Sequence, residues 1–155
     1  MITPESATGL LTAWRKVKSA RDRERLRLAL ERLIRSRAQS NPGNRAIDLA
    51  IALEVLFMNT ERDEHSYKIS LRAARLLRDS PNDRARAFIE VKRIYDLRSS
   101  MVHNGKIKGN FKIDGAQVSP NDLVESVDTL CTEAIRKFIE SGGFSGDNLR
   151  EIELG

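Results

Sequence analysis

An all-α fold, a single-domain helical bundle of about five helices, follows from three features of this 155-residue sequence. No glycine occurs between Gly43 and Gly105, and Pro81 is the one proline in that stretch, which is the pattern of stacked helices with short connections. Pro42, Pro81 and Pro120 each follow Asn or Ser, the signature of a loop entering a helix. Apolar residues recur at helical spacing in every block so delimited.

The first block, 21–38, carries Leu26, Leu30, Leu33 and Ile34 as one stripe on an arginine-covered helix, so it packs by one face. The second, 46–58, is apolar nearly all round and reads as the central buried helix. Its only charges are Asp48 and Glu54, and a buried Glu54 needs a partner. The third, about 65–78, sets Tyr67, Leu71, Ala74 and Leu77 against Arg72, Arg75 and Arg78 on other faces. The fourth runs from Asn82 to about Val102, with a seam through Phe88, Val91, Tyr95 and Val102, and stops at His103-Asn104-Gly105. Residues 106–119 predict a loop or small hairpin, with short apolar alternations around Gly109-Asn110. The last helix, 121–140, places Leu123, Val127, Leu130, Ala134 and Phe138 on one stripe before Gly142-Gly143. The expected division is an N-terminal extension over 1–20, the bundle over 21–141 and a tail over 142–155.

Composition bounds the function. A chain this long buries roughly 70% of its unfolded surface without staples. Its single cysteine, Cys131, excludes a disulfide framework and a cysteine-based zinc site, and makes a reducing cytoplasm the natural compartment. The run Leu49 to Met58, broken by Glu54, is far short of the roughly 18 to 20 residues that span a bilayer, so no membrane partner is expected. The N-terminus lacks the layout of a signal peptide. Between Arg15 and Arg37 ten basic residues face three acidic ones, which makes this third the polyanion-facing candidate. From Asn121 onward eight acidic residues face three basic ones. Gly-rich phosphate loops, H-E-x-x-H and G-x-S-x-G are absent, and no metal or cofactor is expected. His65, beside Glu61, Asp63 and Glu64, reads as solvated. Trp14 reads as a docking anchor, and Cys131 as a small core residue.

The informative stretch is Tyr95-Asp96-Leu97-Arg98-Ser99-Ser100-Met101-Val102-His103-Asn104-Gly105. The seam positions 88, 91, 95, 98 and 102 put Arg98 where Leu or Val is expected. A guanidinium there is paired with Glu54 or Asp96, lies at an interface, or is functional. His103 points about 140° away from Arg98 on an ideal helix. Unwinding at Asn104-Gly105, or better a two-fold dimer along this helix end, would bring arginine and histidine into one cleft. Asp96 and Ser99 share the face of His103, and Ser99 could orient the imidazole. Arginine plus histidine without metal ligands fits cleavage of RNA by its own 2′-hydroxyl: histidine moves the proton and arginine stabilises the phosphorane. One histidine serves poorly as both base and acid in one turnover, which again favours a site built by two subunits. Glu54 is the candidate to hold the Arg98 fork bidentately.

Three segments, Asp48 through Phe57, Ser70 through Leu77 and Tyr95 through His103, resemble the Apea-like branch of the HEPN domains. The resemblance covers roughly 21–105, and Arg98 and His103 match its R-x4-H motif. It implies a helical bundle with metal-independent endoribonuclease activity at a homodimer cleft, leaving 2′,3′-cyclic phosphate ends. Such domains occur in prokaryotic toxin–antitoxin, abortive-infection and other antiviral systems, so a cognate antitoxin or a sensor protein is an implied partner. On this reading Arg98 and His103 are catalytic, and Glu54, Asp96, Ser99 and Asn104 support them. The competing reading, motivated by Ser99 next to the motif arginine, is a non-catalytic HEPN module that binds RNA or a protein. A DNA-binding role for the arginine-rich first block ranks last.

Overall fold

Each Asn-Pro or Ser-Pro step does open a helix. In the computed structural model, which describes residues 4–58, 65–107 and 109–155, Asn41, Ser80 and Ser119 are N-caps whose side chains accept from the backbone N–H three residues on. Seven helices occur among the described residues: α1 (Pro4–Lys16), α2 (Ala20–Arg37), α3 (Pro42–Phe57), α4 (His65–Leu77), α5 (Pro81–Asn104), α6 (Pro120–Glu140) and α7 (Gly146–Leu154). The all-α class is correct, but the count of five is too low. Part of the 1–20 extension is α1, and most of the presumed tail is α7, which Ser145 opens with a capping box and which packs on α4.

The hairpin exists, with strands β1 (Phe111–Ile113) and β2 (Ala116–Val118). Its turn is Asp114-Gly115, not Gly109-Asn110. Both turn residues have positive φ, 50° and 80°, as a tight two-residue hairpin requires. Phe111 and Ile113 are buried, and β1 lies against α5.

Helix α3 is the hub, packed on α2, α5 and α6, with Leu49, Leu53, Leu56 and Phe57 fully buried. The α6 stripe is buried along its whole length, Cys131 included. Burial pushes the Cys131 thiol up to about 12. Native protein is therefore expected to resist thiol labelling at pH 8 and to react only when unfolded, which a timed Ellman assay with and without denaturant checks.

Other faces differ from expectation. On α2 the buried residues are Leu26, Ala29, Leu33 and Ser36, while Ile34 is 65% exposed. On α4 the buried set is Ile69, Ser70, Arg72, Ala73 and Ala74, and Tyr67 is exposed. On α5 the core stripe is Ala87, Glu90, Val91, Ile94 and Leu97, so the row 88, 95, 98 and 102 is rotated onto the flank. Ile94 and Leu97 are the apolar residues that decide the rotation.

The end of α3 explains the burial of Arg72. A helix leaves its last four carbonyls without intrahelical donors. Here Glu54 O receives Met58 N–H at 2.9 Å, while Val55 O and Leu56 O receive Arg25 Nε and Nη2 at 2.9 and 2.7 Å. Phe57 O receives Arg72 Nη1. Two arginines, from α2 and α4, therefore cap the last turn of α3 with their side chains. Arg25 also reaches Phe144 O at 2.8 Å and Asp22 Oδ1 at 2.8 Å, and Arg72 pairs with Glu153 of α7 at 2.6 Å.

Candidate functional site at the end of α5

The capped last turn of α3 carries Glu54, and its carboxylate accepts from Arg98 Nη1 at 2.6 Å. The pair expected between Glu54 of α3 and Arg98, the one cation of the seam, is therefore formed. It is a single hydrogen bond, not the bidentate fork. Both side chains are partly solvated, at 25% for Glu54 and 33% for Arg98. A pair this exposed contributes about 1 kcal/mol or less to stability, so its main consequence is to fix where the guanidinium sits. Arginine has five N–H donors, and the bond to Glu54 uses one.

Tyr95, one turn before Arg98, supplies a wall. The guanidinium carbon lies 5.8 Å from the ring centroid, within cation–π range. Tyr95 Oη is buried near the Glu54 carboxylate without a hydrogen bond of good geometry. Burial, and then the neighbouring negative charge, pushes its ionisation well above the usual phenol range. Tyr95 is thus a neutral apolar surface. Its place three residues before Arg98 was readable in the spacing, although its contact with the guanidinium was not.

Helix α5 stays regular through Asn104 and stops at Gly105, whose left-handed φ of 62° and N–H bond to Met101 O at 3.0 Å form the cap. Gly43, at the start of α3, fixes this end from the other side. A Cβ there would lie 2.9 Å from Met101 Cγ and Sδ, so only glycine admits the methionine without a shift. Unwinding is therefore not what relates Arg98 to His103. The rows Arg98 to Val102 and Ser99 to His103 run side by side at i, i+4, and with Tyr95 they line one open depression of about 250 Å³. His103 is exposed on its rim, and among the described residues no hydrogen bond joins it to Ser99.

The other supporting candidates lie on the next face. Asp96 accepts from Arg93 at 2.8 Å instead of from Arg98. With Ser99, Ser100 and Asn104 it lines a second depression of about 340 Å³, so Ser99 is the wall common to both. Ser100 Oγ donates to Lys106 O at 3.1 Å and ties down the chain after the helix.

Elsewhere four of the ten basic residues of the N-terminal third are held by carboxylates. Arg25, Arg27, Arg32 and Arg37 hold Asp22, Glu24 with Glu31, Asp48 and Asp128 at 2.6 to 3.0 Å. His65 is exposed at the start of α4, and the acidic residues 61, 63 and 64 read as its neighbours lie outside the described residues. Among the described residues no cluster of three or more His, Cys, Asp or Glu side chains could hold a metal ion, and no helix is long and apolar enough to cross a membrane. No protein-family model, curated protein or solved structure matches the chain, and the functional argument therefore rests on the end of α5.

Proposed function

We propose that the protein is a metal-independent endoribonuclease of the HEPN type that acts as a homodimer in the cytoplasm, in prokaryotic toxin–antitoxin or antiviral defence. The observation that carries this reading is an arginine anchored by a carboxylate, with N–H donors to spare, lining the same depression as a solvent-exposed histidine. Two such depressions facing each other across a two-fold axis along α5 supply two histidines and two guanidiniums. One His103 takes the proton of an RNA 2′-hydroxyl, whose oxygen attacks the adjacent phosphorus. The other gives a proton to the departing 5′-oxygen. The Arg98 guanidiniums meet the charge that gathers on the non-bridging oxygens. The products are a 2′,3′-cyclic phosphate and a 5′-hydroxyl, and no cofactor takes part.

The competing reading, a non-catalytic module that binds RNA or a protein, draws on the same bond, because Glu54 alone accounts for a cation at this position. Incubation of structured RNA in EDTA with wild-type and Arg98→Ala protein separates the two. Cyclic-phosphate ends from the wild type, formed about 100-fold more slowly by the variant, are expected. A folded, dimeric wild type that leaves the RNA intact, or a variant that cuts equally well, refutes the nuclease.

A further inference from the structure

A second apolar surface lies away from the end of α5. Trp14 of α1, Leu30 and Ile34 of α2 and its C-cap Ala38 line a trough of about 490 Å³, rimmed by Arg27, Glu31 and Arg35. The α2 residues fall at the spacing i, i+3, i+4, i+7, i+8 and i+11, a stripe about 16 Å long opposite the face that α2 buries in the core. Ile34 is 65% exposed and Trp14 39%. α1 has 13 residues, about the length at which an isolated helix is only marginally stable. It packs against α6, which leaves Trp14 turned toward the trough.

We propose that this trough is the docking site for an amphipathic helix of another protein, with apolar residues on one face and glutamate or aspartate beside them. An apolar stripe just over two turns long, open to solvent, is the shape that accepts a helix with anchors at i, i+3 or i+4, and i+7. The rim selects the charge. Arg27 is committed to Glu24 and Glu31 at 2.6 and 2.9 Å, which also neutralises Glu31. Arg35 is 65% exposed and, among the described residues, approaches only Asp48, at 3.6 Å, a carboxylate already bonded to Arg32 and Gln39. Its fork is therefore available to an incoming carboxylate. Two copies of this face would set Arg35 against Arg35, and such a like-charge contact opposes self-pairing. The inference is independent of any activity at Arg98 and His103.

Trp14 is the only tryptophan of the chain, so its emission reports the trough directly. The probe is a designed helix-forming peptide of about 18 residues with leucines on one face and glutamates on the flanks, titrated into the full chain beside a twin carrying lysine for every glutamate. A saturable blue shift is expected with the acidic peptide. Binding is expected to weaken about tenfold or more in Ile34→Asp and in Arg35→Glu, both at exposed positions, and for the lysine twin. Far-UV circular dichroism confirms that the variants are folded. Absence of a saturable shift, or equal binding of the two peptides, overturns the proposal. So does wild-type self-association in sedimentation that Ile34→Asp abolishes, since that result assigns the trough to a second copy.

Discussion

Replacing His103 by alanine is expected to slow RNA cleavage by about 100-fold or more, the usual contribution of a positioned general acid or base. Stability should hardly move. The side chain is exposed beside the cap of α5 and makes no hydrogen bond among the described residues, so the melting temperature should stay within about 2 °C. If each turnover needs one histidine as base and its symmetry mate as acid, a mixed dimer with one altered subunit is inactive. Wild-type and His103→Ala subunits mixed equally, unfolded together and refolded, should then retain roughly one quarter of the wild-type activity, the statistical share of intact dimers. Retention of about half instead means that each subunit works alone.

Arg25→Met is expected to cost about 3 kcal/mol and to lower the melting temperature by about 6 to 12 °C. Methionine keeps most of the aliphatic volume but removes the donors to Val55 O, Leu56 O and Phe144 O and the charge facing Asp22. It also removes the guanidinium that lies 5.2 Å from the Phe138 ring centroid. Each acceptor left buried without a partner loses water and gains nothing, and that loss, not the lost Coulomb attraction, dominates. Arg25→Lys should restore less than half of the difference, because a single ammonium cannot span three carbonyls held by a planar fork. Urea melts of the three proteins check this, and a loss below about 1 kcal/mol for Arg25→Met means that water satisfies those carbonyls. The same turn carries Glu54, so RNA cleavage measured well below the melting temperature should also fall in Arg25→Met.

Helices whose apolar stripe faces one neighbouring layer were legible in the sequence. α6 is the clearest case, with Leu123, Val127, Leu130, Ala134 and Phe138 all buried. Helix starts were legible because Asn41, Ser80 and Ser119 cap through chemistry local to four residues. α1 and α7 were not, since α7 is short and both carry few apolar residues. α7 is held chiefly by Leu149 and by Glu153 meeting Arg72 from a distant segment. The face of α5 was misjudged by one residue because Phe88, Tyr95 and Val102 compete with Ala87, Ile94 and Leu97, and only tertiary packing chooses between the rows. At the site, the Glu54 partnership of Arg98 was readable as two charges out of place, while Asp96 was drawn off by Arg93, a surface choice that periodicity does not encode.

Phe144 stacks on Phe57 at 5.7 Å, meets Phe138 edge-on at 5.0 Å, and gives its carbonyl to Arg25. During synthesis, therefore, Arg25 of α2 waits for more than one hundred further residues, and Phe57 of α3 for more than eighty, to leave the ribosome before they meet Phe144. Until then Arg25, one of the two arginines that cap the turn carrying Glu54, lacks one of its own partners. A chain cut in the segment before α7 would leave Arg72 without Glu153. The two arginines that cap the turn beneath Arg98 thus meet Phe144 O and Glu153 only after residue 153 has emerged.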